Sequence, residues 1–210
     1  MSQTISATKI NLIDLREKFG LERVNDSTFF QEWQENLPDL SPDEQQVMDE
    51  VKADYLHLFE YPLLESVVKL VVLSPLLKQA GFYRSPFYIV GEKEVKVLSQ
   101  DEDLMIQGRL DLLVFTPPFW VLVIEAKKAE YSLDVGIPQA LTYMLADPRP
   151  EKPVFGLVTN GTDVIFLKLT QQDKPKYAES DVFSMRRREN ELYTVLRILK
   201  RFAEIVNSKK

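Results

Sequence analysis

The sequence predicts an α/β (α+β) protein in which a central mixed β-sheet is flanked by helices. Three observations carry this expectation. Residues 109–115 (RLDLLVF) and 120–126 (WVLVIEA) are runs of β-favouring apolar residues around Thr116, Pro117, Pro118 and Phe119, and they read as a hairpin. Residues 154–158 and 164–169 form a second pair of short apolar runs around the turn-forming Thr159, Asn160 and Gly161. Helical patterns surround these runs, and the last of them, residues 189–206, is clearly amphipathic. A chain of 210 residues with 45% apolar content is long enough to bury one sizeable core. Residues 61–210 are expected to form that core, and residues 1–60 a helical N-terminal extension packed on it.

Each element has a local reason. Residues 11–17 suit a short helical or extended segment, and residues 29–35 a short helix begun near Asp26 and Ser27. Ser41, Pro42 and Glu44 supply an N-cap, a first-turn proline and an N3 carboxylate, so a helix is expected from there to about Glu60. Pro62 opens the next helix, which is expected to end or kink near Ser74 and Pro75. Residues 84–90 and 94–98 read as strands around a Gly91-Glu92 turn. After the central hairpin, residues 132–145 form a helix with Pro138 as an irregularity or a late start.

Composition excludes several classes. Without cysteine there is no disulfide framework and no thiolate metal site, which fits a reducing cytoplasm. The N-terminus has no basic region followed by an apolar one, so no signal peptide is expected. The longest apolar stretch, residues 62–77, is broken by Glu65, Lys69 and Pro75 and is too short to span a bilayer. There is no Walker-type phosphate loop, and His57, the one histidine, has no nucleophile or carboxylate placed to make a triad.

The chemistry concentrates in the hairpin. A turn centred on Pro118 puts Asp111 directly opposite Glu125, with Cβ atoms roughly 4.5–5.5 Å apart. Lys127, two residues beyond Glu125, points to the same face. Like charges directly opposite one another destabilise a sheet, so the pair calls for a compensating cation. Mg²⁺ prefers oxygen ligands and is often held by one or two carboxylates with water and substrate phosphate. A neighbouring lysine can orient water or stabilise charge developing on the phosphate. Phosphodiester hydrolysis is the natural reaction class.

Taken together, Asp111, Glu125-Ala126-Lys127 and Gln139-Ala140-Leu141-Thr142-Tyr143 resemble the motifs of the PD-(D/E)xK nuclease superfamily. More narrowly, residues 108–169 are similar to the nuclease domain at the N-terminus of type I restriction enzyme R subunits. The resemblance implies a restriction-endonuclease-like core and Mg²⁺ or Mn²⁺ as cofactor. Asp111 and Glu125 would be metal ligands with the Ala126 carbonyl, Lys127 the catalytic lysine, and Glu65 a further catalytic or metal-binding carboxylate from the preceding helix. Gln139 and Tyr143, the QxxxY pair, would position DNA or the site. Leu110 replaces the proline of the family name, a common variation. R subunits continue into a helicase motor and this chain ends at Lys210, so no motor is expected. The implied partners are DNA and a separate translocase or specificity subunit, with a homodimer also open.

Other readings stay beside this one. Glu65 precedes Lys69 by one helical turn, so an ordinary ion pair explains it equally well. Arg109 shares the strand face of Asp111 and suits either a phosphate contact or neutralisation of a carboxylate. The net charge of −6 is unusual for a protein that grips DNA. Basic residues do gather late in the chain, at Lys127-Lys128, residues 186–188, Lys200-Arg201 and Lys209-Lys210. The alternative function is a non-catalytic nucleic-acid- or partner-binding module that keeps the nuclease fold.

Overall fold

Strands from both ends and the middle of the chain assemble into one mixed sheet of eight. The computed structural model describes residues 3–99, 104–117, 119–149 and 151–207, so Pro118 at the expected hairpin turn and Lys209-Lys210 lie outside the described residues. The strands are β1 (Gln3–Ser6), β2 (Glu22–Arg23), β3 (Tyr88–Leu98), β4 (Leu104–Thr116), β5 (Phe119–Ala126), β6 (Val154–Thr159), β7 (Asp163–Thr170) and β8 (Lys176–Ser184). The helices are α1 (Leu12–Phe19), α2 (Pro42–Leu58), α3 (Glu65–Val68), α4 (Ser74–Gln79), α5 (Leu133–Leu145) and α6 (Leu192–Asn207). The sheet order is β1-β4-β5-β6-β7-β8-β2, with β3 paired along β4. β5 and β6 are parallel and joined through α5, the crossover that parallel neighbours require.

The sheet separates two apolar layers. On one side α2, α4 and α6 pack through Met48, Leu76, Leu77, Leu199 and Phe202 against Leu122, Ile124, Phe155 and Phe166. On the other, α1 and α5 pack through Leu15, Ile137 and Leu141 against Val123, Val158, Ile165 and Leu167. Val123 and Ile124 thus face opposite layers, as the two-residue period of a strand requires.

Several local expectations hold. Ser41 and Glu44 form a reciprocal capping box at the start of α2. Asn11 and Asp14 do the same for α1, which ends on Gly20 at a φ of 66°. The hairpin pairs Leu112 with Ile124, Leu113 with Val123 and Val114 with Leu122. Continued by one residue, that register sets Asp111 level with Glu125. Nearer the turn it slips, to Phe115 with Trp120, through an irregularity after Val114.

Other elements depart from the sequence reading. Residues 84–98 do not fold as two strands around a turn: β3 runs unbroken, and Glu92 absorbs the irregularity at a φ of 55°. The segment from Pro62 becomes helical only at Glu65, and the helix passes through Pro75 to Gln79. A π turn over Lys69–Leu73, in which the Ser74 N–H donates to the Lys69 carbonyl, widens the helix just before the proline. The first sixty residues are not wholly helical, since β1 and β2 pair in parallel with β4 and β8. Those segments are too short to show a period of their own, and their pairing is set by open edges elsewhere in the sheet. β8 was missed for a related reason, because its exposed and buried residues do not alternate regularly.

The core offers one direct test. Phe155 and Phe202 stack at 3.9 Å between centroids, with Phe30 and Phe166 beside them. Phe202→Ala is expected to cost ~3–5 kcal/mol in denaturant unfolding, as deletion of a fully buried aromatic ring generally does. The urea m-value should not change.

Candidate active site

Glu125 is the penultimate residue of β5, shares the α5-facing side with Val123, and is 2% exposed. Lys127 lies just past the strand and folds back along it. Its Nζ donates to Glu125 Oε1 and to Gln139 Oε1, each at 2.6 Å. Gln139 Nε2 then donates to Tyr143 Oη at 2.9 Å, one turn further along α5. Tyr143 Oη donates to the Arg109 carbonyl at 3.1 Å. This chain of hydrogen bonds ties β5, α5 and β4 together, and every polar group in it except one Glu125 oxygen is satisfied.

Two glycines let the elements approach this closely. A Cβ on Gly108 would fall 2.6 Å from Tyr143 Oη and 2.7 Å from Ala7 Cβ. A Cβ on Gly136 would fall 2.6 Å from Val158 Cγ1 and 3.5 Å from the Lys127 stem. β1 covers residues 104–107 of β4 and β5 covers 112–116 on the same side, so residues 108–111 bridge the interval between them. Tyr143 serves the Arg109 carbonyl in that interval, which is why Gly108 must be small.

Asp111 completes the centre from β4. Its Oδ2 accepts the Ala126 N–H at 2.7 Å, and its Oδ1 accepts from Lys69 Nζ at 2.6 Å. Lys69 also reaches Glu65 Oε1 at 2.7 Å and lies 3.9 Å from Glu92 Oε1. Glu92 pairs in turn with Arg109 at 3.2 Å.

The structure therefore brings Asp111, Glu125, Lys127, Gln139 and Tyr143 into one connected group. Glu65 joins it only through Lys69, so the ion pair with Lys69 is its direct contact. The Arg109 side chain is 59% exposed and neutralises Glu92, while its backbone serves Tyr143. Ala126 contributes its N–H to Asp111. Lys69 and Glu92 are the members that sequence reasoning missed. The Glu65–Lys69 spacing signalled the first, but only the fold places Lys69 beside Asp111. Glu92 was hidden by its assignment to a turn.

Burial and the nearby Asp111 charge push the Glu125 carboxyl up to about 8, against the opposing pull of Lys127. Burial also raises Asp111, although Lys69 and the Ala126 N–H favour its charged form. Tyr143 is pushed up to about 12 by burial and by the Glu125 charge, so its hydroxyl stays a donor.

Among the described residues, no three His, Cys, Asp or Glu side chains converge as a ready-made metal cage. The donor set nevertheless suits a hard divalent ion that keeps most of its waters, since one or two carboxylates are enough for Mg²⁺. Glu125 Oε2 fits that role, because it is buried and has no hydrogen-bond partner. A buried acceptor left in that state is costly.

Two outcomes follow. Glu125 has a higher pKa folded than unfolded, so the native state retains a proton that the unfolded chain releases. Metal-free stability should therefore fall as pH rises from about 4.5 to about 8, by up to a few kcal/mol. Glu125→Gln should flatten that decline in melting temperatures measured with a chelator present. Gly108→Ala should destabilise the fold by roughly 1–3 kcal/mol in denaturant unfolding, the usual cost of overpacking.

Comparison with models of known protein families gives no match, and a search of curated proteins gives no similar sequence, so the functional reading rests on this geometry.

Proposed function

We propose that this chain is a metal-dependent DNA endonuclease of the PD-(D/E)xK type, similar to the nuclease domain of restriction enzyme R subunits, that hydrolyses phosphodiester bonds. The observation that carries the reading is the Glu125–Lys127–Gln139–Tyr143 hydrogen-bond chain beside Asp111, with one Glu125 oxygen buried and unpaired. The proposed fold type is a restriction-endonuclease-like core. The mixed sheet with helices on both faces and the placement of Asp111 and Glu125 on adjacent strands support it.

In this reading Asp111 and Glu125 hold Mg²⁺ or Mn²⁺, with the Ala126 carbonyl as a further ligand and Glu65 as an outer one. When bound, such an ion supplies Lewis-acid polarisation of the phosphoryl oxygen and lowers the pKa of water. Lys127 holds the attacking water or the developing phosphate charge, and it is fixed for that task by its two short bonds. Gln139 sets the Lys127 position. Tyr143 anchors Gln139 to β4, and Arg109 stands at the exposed rim where a phosphate could pass.

The net charge of −6 favours weak intrinsic DNA affinity. Much of the late basic sequence is also engaged within the fold. Arg186 packs on the Phe59 ring at 4.6 Å, Arg187 pairs with Glu191, and Lys200 pairs with Glu44. DNA delivery by a separate translocase or specificity subunit, or by a homodimer, is therefore part of the proposal. The cytoplasm is the compartment it implies, and no helix among the described residues is long and apolar enough to cross a membrane. The same acidic balance motivates a second reading, a nuclease-fold module that binds nucleic acid or a partner without turnover.

A plasmid-nicking assay in Mg²⁺ and in Mn²⁺ separates the two. Wild type should nick, Lys127→Ala should lose at least about a hundredfold, the scale of one positioned acid–base or electrostatic group, and Asp111→Ala/Glu125→Ala should lose all cleavage. DNA binding without nicking by the wild type, unchanged in Lys127→Ala, would establish the binding module instead.

A further inference from the structure

Lys69 is the one cation in the site that the proposed chemistry does not use, and it sits where it obstructs that chemistry. Its ammonium is 2.6 Å from Asp111 Oδ1 and 2.7 Å from Glu65 Oε1, with Glu92 at 3.9 Å. A Mg²⁺ ion sits about 2.0–2.1 Å from a ligating oxygen. An ion on Asp111 Oδ1 and an ammonium in hydrogen-bond contact with the same atom would crowd each other and repel. The two cations compete for one carboxylate.

The surroundings fit a displaceable occupant. The Lys69 side chain is 20% exposed, so its head can reach solvent by rotation of a long flexible stem. The chain enters the π turn at Lys69, a local widening that recurs at functional positions. Its second anchor, Glu65, is 37% exposed and lies at the mouth of the site. Asp111 keeps a fixed contact without Lys69, through the Ala126 N–H.

We infer that Lys69 is a built-in counter-ion for the Glu65–Asp111 pair, holding the carboxylates in place without metal and withdrawing when a divalent ion binds Asp111. The inference rests on the proposed role of Asp111 and Glu125 as the metal-holding pair. It makes Lys69 a positioning residue whose removal tightens metal binding, the reverse of what a ligand or a substrate-contacting residue would do.

The test is Mn²⁺ binding by calorimetry on the full chain, wild type and Lys69→Met, together with melting temperatures with and without Mn²⁺. Lys69→Met should melt lower without metal, bind Mn²⁺ on the order of tenfold more tightly, the scale of one charge-assisted hydrogen bond, and gain more in melting temperature from the ion. In the wild type, reductive methylation of Lys69, read by mass spectrometry, should quicken several-fold when Mn²⁺ is added. That second measurement decides the matter if Lys69→Met does not fold. Equal Mn²⁺ affinity in the two proteins, or methylation that is indifferent to saturating Mn²⁺, overturns the inference and leaves the nuclease reading intact. Failure of Mn²⁺ to bind either protein overturns both.

Discussion

The constraint on which this architecture depends is the burial of carboxylates in the middle of an apolar sheet. Glu125 lies between Ile124 and Ala126, both fully buried, and is itself almost inaccessible. Desolvating a carboxylate costs several kcal/mol unless charge and hydrogen bonds compensate. The fold compensates Glu125 through Lys127 on one oxygen only, and Asp111 through Lys69 and a backbone N–H. A protein selected for stability alone would place apolar residues at these two positions. In the proposed function, retaining them with one oxygen left unserved is the cost of keeping a site ready for a cation.

The supporting structure follows from that burial. Lys127 can neutralise Glu125 only if its long stem is held down, and α5 does this with Gln139 while Gly136 lets the helix approach. Gln139 stays oriented because Tyr143 accepts from it and passes the bond on to the Arg109 carbonyl. Tyr143 has room because residue 108 is glycine and because β1 ends before that stretch of β4. The GRLD run on β4, the EAK run on β5 and the QxxxY pair on α5 are thus consecutive parts of one hydrogen-bonded unit. A change at Gly108 that displaces Tyr143 is felt at Lys127 through two hydrogen bonds, by way of Gln139.

Legibility in the sequence follows the range of the interactions. The β4–β5 hairpin, the α2 capping box and the α5 spacing of Gln139 to Tyr143 are local and were read from residue types at fixed offsets. The level placement of Asp111 and Glu125 also came from a local argument about a turn, and the Val114 slip did not disturb it because it lies on the turn side of the pair. What could not be read depends on distant neighbours. β1 and β2 are strands only because β4 and β8 offer open edges. β3 is a single strand because pairing with β4 along its length holds Glu92 in an unfavourable φ. Lys69 looked like half of an ordinary helix ion pair, since its distance to Asp111, forty-two positions away, has no signature in sequence.

The electrostatics of the whole chain and of the site point to a single consequence. Phosphodiester backbones are polyanions, and a chain with a net charge of −6 whose late basic residues are largely spent on Phe59, Glu191 and Glu44 cannot attract one strongly by itself. At the centre, Glu65, Glu92 and Asp111 are matched by Lys69, Lys127 and Arg109, and Glu125, its carboxyl pushed up to about 8, adds little negative charge near neutral pH, so the metal-free site offers phosphate no net attraction. In the proposed function a bound divalent ion would make the site locally positive, and Lys69, swinging outward as it yields Asp111, would bring a second positive charge to the rim beside Arg109. Metal loading and substrate attraction would then be a single event. In the proposed nuclease, such a device would let an acidic protein ignore nucleic acid until its site is charged with metal, and it would give a reason for placing a lysine on the carboxylate that the ion needs.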